Sequence, residues 1–149
     1  MAEDLKIRES VKFVVSKPRE EILKIFTQAK VGIHTMKEEH FGIAIVEMMS
    51  AGLVTIVHTS GGPLHDIIGC SQDPIGYMCG STEEFADQVV RAMNHFDSRE
   101  ITELREGARK HVNDNFTIRS FDSKFVKLLR QMLWYFDSDY TTVIYFTFN

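Results

Sequence analysis

Val31-Gly-Ile-His-Thr-Met-Lys-Glu-Glu-His-Phe-Gly-Ile-Ala-Ile-Val-Glu-Met-Met-Ser-Ala-Gly-Leu-Val-Thr-Ile-Val57 decides the fold class. Its first five residues are a short β-rich run. The stretch from Gly42 to Ala51 is strongly apolar and closes on Gly52, which suits a helix with a glycine C-cap. Leu53-Val-Thr-Ile-Val57 is nearly continuous in Val, Ile and Leu, the mark of a strand covered by helices on both faces and therefore of a parallel sheet. Upstream, Val11-Lys-Phe-Val-Val15 predicts another strand, stopped by Ser16-Lys-Pro18, and Ile22, Leu23, Ile25 and Phe26 predict a helix over 19–29. Downstream come the Gly61-Gly62-Pro63 turn, a short helix around 64–68 and a weak strand over 76–78. A helix opened by Ser81 or Thr82 with Glu84 runs to about Phe96, and a second, capped by Ser98, covers 99–115. The last spans 120–136, with Phe121, Phe125, Leu128, Met132 and Phe136 on one stripe. The pattern is α/β: a Rossmann-like parallel sheet with helices on both faces, the runs at 11–15, 31–35 and 53–58 being parallel neighbours. Residues 138–149 form an aromatic tail of unassigned structure.

The 149 residues are 44% hydrophobic and 26% charged, with a formal charge of -4. This excludes disorder and collagen-like or disulfide-scaffold classes. Lys and Arg are spread along the chain, so no basic stripe argues for nucleic acid. Cys70 and Cys79 fit neither a redox pair nor a zinc knuckle, which favours a reduced compartment. No apolar run approaches the roughly 20 residues that cross a bilayer, and the polar, acidic start is unlike a signal peptide. The segment is expected in the cytosol or facing it.

Between Gly42 and Gly52 the one charged residue is Glu47, set among Ile43, Ile45, Val46, Met48 and Met49. A buried carboxylate needs a cation, a set of donors or ligand hydroxyls; the alternative is a glutamate turned to solvent. Glu39 stands eight residues earlier, ahead of the helix, so the two acids flank the unpaired amides of the first turn. Those amides, with Gly42 permitting close approach, form an anion site that suits a diphosphate. A nucleoside diphosphate sugar has the matching shape: Glu39 takes hexose hydroxyls and Glu47 the ribose diol. Thr59-Ser-Gly-Gly-Pro63 follows the next strand, at the carboxyl end where open α/β sheets place ligands. It is read either as a second amide donor or as an ordinary turn needing positive φ. A metal site from His34, His40, His58 and His65 matches no standard zinc spacing, and His95 and His111 read as surface helix residues.

Glu39-His-Phe-Gly-Ile-Ala-Ile-Val-Glu47, with Ala51-Gly52 and Ser60-Gly-Gly-Pro63, resembles the E-x7-E signature and following glycine turn of retaining glycosyltransferases with the two-domain B fold, family four. More narrowly, Ile33-His-Thr-Met36, Glu39-His-Phe-Gly42 and Ser60-Gly-Gly-Pro-Leu-His-Asp-Ile67 look like the mannosyltransferases that act on dolichol-linked oligosaccharides in asparagine-linked glycosylation. The similarity runs from about Val11 to about Phe136, the later part of that family's carboxyl-terminal, donor-binding half. It implies that 1–137 are a partial nucleotide-sugar-binding domain. Glu39 is then the catalytic residue at the transferred hexose, with His40, Phe41, Gly42, Ile43, Gly61 and Gly62 on the donor and Glu47 on the ribose. Val15 and Ser16 match the base-contacting edge. The donor is expected to be GDP-mannose, with retention and without a metal or other cofactor; the alternatives are a noncatalytic or truncated nucleotide-sugar-binding module of the same fold, or a related transferase with another donor. The acceptor is expected to be a dolichol-diphosphate oligosaccharide, bound through an absent amino-terminal domain that also supplies membrane association. The place of action is the cytosolic face of the endoplasmic reticulum membrane. The family's phosphate-neutralising Arg and Lys segment would also lie upstream, so the isolated chain is expected to bind donor weakly and transfer no sugar.

Overall fold

The computed structural model describes residues 3–136. Three strands, β1 (Val31–His34), β2 (Val54–His58) and β3 (Tyr77–Cys79), form one parallel sheet in the order β1-β2-β3. Val31 faces Val54 and His34 faces Val57 across the first pair, and Ile56 faces Tyr77 across the second. The helices are α1 (Arg19–Gln28), α2 (Ile43–Ala51), α3 (Thr82–Asn94), α4 (Arg99–Asn115) and α5 (Ile118–Phe136).

The central strand explains the arrangement. Val54, Thr55, Ile56 and Val57 are all fully buried, and because side chains alternate along a strand they feed two cores. Val57 packs with Ile45, Val46, Met48 and Met49 of α2 and with Ala108 and Val112 of α4. Val54 packs on the other side with Ala92 of α3 and Ile101 and Leu104 of α4. Helices therefore cover both faces, as the apolar run predicts. The caps agree as well: Ser81 Oγ accepts from the Glu84 amide at 3.2 Å and Ser98 Oγ from the Ile101 amide at 3.3 Å. Gly52 takes the left-handed conformation at the end of α2, its amide bonding back to Met48 and Met49.

One expected strand does not form. Residues 11–15 lie outside the sheet, with Phe13 64% and Val15 73% exposed. Val and Phe fit a half-buried pleated surface and do not impose pairing on their own. Here the parallel neighbours are β1, β2 and the short β3, one residue later than its expected span. The turn at Pro63–Ile67 is also wound differently from an α-helix: the Ile68 amide reaches the Pro63 carbonyl, five residues back, at 2.9 Å.

On α5, Phe121, Phe125, Leu128 and Met132 are exposed, so these four stripe residues are not packed into the core formed by the described residues. No helix among the described residues is long and apolar enough to cross a membrane. Residues 138–149 lie outside the described residues.

Candidate functional site

The three strands end at His34, His58 and Cys79, and the loops that follow meet at the carboxyl edge of the sheet. Ser60 joins the first two: its Oγ accepts from the Glu38 amide at 2.9 Å and lies 2.9 Å from His58 Nδ1. The Thr59 amide bonds to the Cys79 carbonyl at 3.0 Å and ties the second loop to the third. A cavity of about 400 Å³ opens along this edge, lined by Thr35, Lys37, His58, Gly80, Ser81, Thr82, Glu83 and Phe85.

Gly61 and Gly62 press directly on the 39–41 backbone. A Cβ at Gly61 would collide with the Glu39 carbonyl, and one at Gly62 would lie 2.5 Å from the Phe41 carbonyl and 2.6 Å from that of His40. The Gly62 amide donates to the Glu39 carbonyl at 2.7 Å. That amide is committed to the neighbouring loop, so the glycine turn acts as a clamp and Gly62 does not offer its amide to a ligand. Phe41 meets Phe116 edge to face at 5.6 Å, which anchors the same loop to the first core. His40 is exposed.

The clamped loop delivers the chain into α2. Gly42 takes φ +97°, and no side chain caps the helix. Intrahelical bonding starts with the Ile45 amide on the Gly42 carbonyl at 2.9 Å, which leaves the Ile43 and Ala44 amides without an intrahelical acceptor. Glu39 Cγ lies 3.3 Å from where a Gly42 Cβ would stand, so the absent methyl makes room for that acid at the helix start. Glu39 Oε2 is 3.5 Å from His34 Nε2, with their side chains 21% and 17% exposed. The other His34 nitrogen, Nδ1, is buried without a hydrogen-bond partner.

Glu47 meets a cation, as the burial argument requires, although no sequence feature had assigned one. Arg19, the first residue of α1, donates from Nε at 2.9 Å and from Nη2 at 2.7 Å, both to Oε1. The Glu47 side chain is 23% exposed and that of Arg19 72%. The sequence carried no signal for this pairing, since Glu20 and Glu21 stand beside Arg19 in the first turn of α1.

The structure thus brings Glu39, His40, Phe41, Gly42, Ile43, Gly61 and Gly62 into one interlocked loop pair, with Glu47 further along the same helix. Val15 and Ser16 stand apart on the unpaired segment, with no hydrogen bond to this loop among the described residues. Among those residues no group of three or more His, Cys, Asp or Glu side chains gathers as a metal site. Burial, and then the charge of Glu84, pushes the Cys79 thiol up, which makes it a poor nucleophile. His111 is not a free surface residue: it is half-buried beside Phe116, and burial pulls its pKa below the usual value.

The class of protein follows from the sequence profile described as "Glycosyl transferases group 1", which matches residues 1–111, and the chain belongs to that family. Among named relatives, the GDP-Man:Man(3)GlcNAc(2)-PP-Dol alpha-1,2-mannosyltransferase of Homo sapiens is 32% identical over 133 residues, covering 89% of this chain and 27% of that protein. The protein of the same name from Xenopus laevis is 37% identical over 117 residues, covering 78% and 24%. Its Yarrowia lipolytica counterpart is 48% identical over 67 residues, covering 45% and 11%. The chain therefore spans about a quarter or less of the relatives it matches. The same fold occurs in a glycosyltransferase from Rickettsia africae, with a TM-score of 0.72 and 17% identity over 89% of this chain and 34% of that one. It occurs again in sucrose-phosphate synthase from Thermosynechococcus elongatus, with a TM-score of 0.70 and 18% identity over 89% and 32%. The architecture is that of part of a two-domain B-type glycosyltransferase.

Proposed function

We propose that this chain is the donor-binding part of a retaining mannosyltransferase that moves mannose from GDP-mannose to a dolichol-diphosphate oligosaccharide in α-1,2 linkage. The observation that carries the reading is the start of α2: uncapped Ile43 and Ala44 amides with Glu39 against Gly42 on one side and Glu47 one turn further on. The names of the curated relatives supply the donor and acceptor classes.

In this reading the diphosphate sits on the first-turn amides of α2. Negative charge grows on it as the glycosidic bond breaks, so the helix start stabilises the transition state more than the ground state. Glu39 contacts the hexose, where positive charge develops on the sugar. Glu47 accepts from the ribose diol. His40, Phe41, Ile43, Gly61 and Gly62 shape the loop around the donor, and Val15 and Ser16 belong to the base edge. No step is assigned to a metal. The acceptor is bound by a further domain, at the cytosolic face of the endoplasmic reticulum membrane.

The test is an amide-shift titration of the 149-residue chain with GDP and GDP-mannose. The expected result is weak binding, with the largest shifts at Gly42, Ile43 and Ala44 and no sugar transfer. Shifts confined to the 80–85 cavity would overturn the assignment, and mannosyl transfer by the chain alone would overturn its dependence on a second domain.

A further inference from the structure

The proposed ribose contact at Glu47 leaves Arg19 unexplained. Arg19 spends two N–H groups, Nε and Nη2, on the same oxygen, Oε1 of Glu47. A carboxylate has about four acceptor positions, two on each oxygen. The fork therefore fills Oε1 and leaves both positions of Oε2 open, with no partner for that oxygen among the described residues.

We infer that Arg19 is the positioning residue of the ribose site: it locks the Glu47 carboxylate so that Oε2 alone is presented, with both lone pairs available to the 2′- and 3′-hydroxyls of one ribose. The inference rests on the donor-site reading. Geometry supports it over a simple tie between α1 and α2. A tie is equally well made by the usual bidentate fork on both oxygens, which would occupy the whole carboxylate, whereas both donors here converge on Oε1 and leave Oε2 free. The guanidinium faces solvent, so it holds the carboxylate without being buried itself. Without Arg19 the carboxylate rotates between several wells, and the ribose must order it on binding.

The experiment measures the dissociation constants of GDP and of 2′,3′-dideoxy-GDP for the 149-residue chain and its variants. The wild type should prefer GDP by about 10-fold or more, the scale of hydrogen bonds to a charged acceptor. E47A should abolish the preference and R19M should reduce it to about 2-fold. R19K, which keeps the charge but not the planar fork, should fall between. Adding R19M to E47A should change the ratio no further. Arg19 is mostly exposed, so R19M should stay folded, which its melting transition checks; if it does not fold, R19K carries the test through its partial loss of preference. Full preference in R19M, or in R19K, overturns the inference while leaving the ribose role of Glu47 intact, because a mere tie moves stability and not this ratio. A wild type without preference overturns both.

Discussion

Gly62→Ala tests the clamp that aims α2. Gly62 sits at φ -57°, ψ -41°, an ordinary right-handed conformation that alanine adopts without strain. On backbone entropy alone the substitution should therefore stabilise the protein, by about 0.4–1 kcal/mol. The structure reverses the sign. The new methyl would stand 2.5 Å from the Phe41 carbonyl, 2.6 Å from that of His40 and 2.6 Å from Phe41 Cα. All three obstacles are backbone, with no side chain to swing away. The two loops must separate, at about 1–3 kcal/mol for overpacking and about 0.5–1.5 kcal/mol for the weakened Gly62–Glu39 hydrogen bond. Net of the entropic gain, the loss should be about 0.5–4 kcal/mol, or about 2 to 16 °C in melting temperature for a domain of this size. Urea unfolding followed by circular dichroism reads the free energy, and a GDP titration reads the site. A variant as stable as wild type, or more so, would refute the backbone contact, and unchanged stability with unchanged GDP affinity would remove the clamp from the account.

On the donor-site reading, Glu39→Ala should bring GDP-mannose affinity down to that of GDP and leave GDP itself unchanged. Glu47→Ala should weaken both by about 10- to 150-fold, and calorimetry with the two ligands separates the cases. Loss of the Arg105 Nε bond to the Gly52 carbonyl, 2.7 Å long, should make Arg105→Ala about 1–2 kcal/mol less stable by urea titration. For His111, which faces Phe116, Asn115, Asp114, Lys110, Lys124 and the Ile67 backbone, a folded pKa below 6.5 means the unfolded chain binds more protons in that window. Its contribution should be complete above pH 6.5 and lost as pH falls through the folded value, and His111→Asn should flatten that slope in urea midpoints measured from pH 5 to 7.5.

The sheet could be read from the sequence where composition and burial coincide. Leu53 to Val57 has no polar position other than Thr55, and such a run has no solvent face to offer, so a centre covered on both sides follows from the residues alone. The helix ends were legible for the same reason, since Ser81, Ser98 and Gly52 each do a job that few residue types can do. Val11 to Val15 misled because strand propensity describes how a side chain fits a sheet, while pairing depends on an available edge elsewhere. The site divided along the same line. Glu39, Gly42 and Glu47 were visible as oddities within one segment. Their partners were not: Arg19 lies 28 residues from Glu47, and His34 is aimed by the end of its strand. Nor did the glycine turn reveal that it faces a backbone, since a glycine that permits close approach looks the same in sequence as one that permits a turn.

The Arg19 partner also answers an electrostatic objection to the donor-site reading. A diphosphate brings negative charge to a helix start already flanked by two carboxylates, in a chain of formal charge -4. At an effective dielectric of about 20, two like charges about 6 Å apart repel by roughly 3 kcal/mol, several times the roughly 0.3–1 kcal/mol that a helix terminus contributes to an exposed anion. Bare acids would therefore defeat the helix. Arg19 offsets Glu47 at hydrogen-bond distance. Glu47 then remains available as a hydrogen-bond acceptor for sugar hydroxyls while its field at the phosphates is reduced. Arg19→Met should for this reason weaken GDP more at low ionic strength than at 0.5 M salt, where screening already shortens the repulsion to a few ångströms. Salt screens charge–charge interactions and leaves hydrogen-bond geometry largely unchanged, so a loss of GDP affinity independent of ionic strength would assign Arg19 to geometry alone.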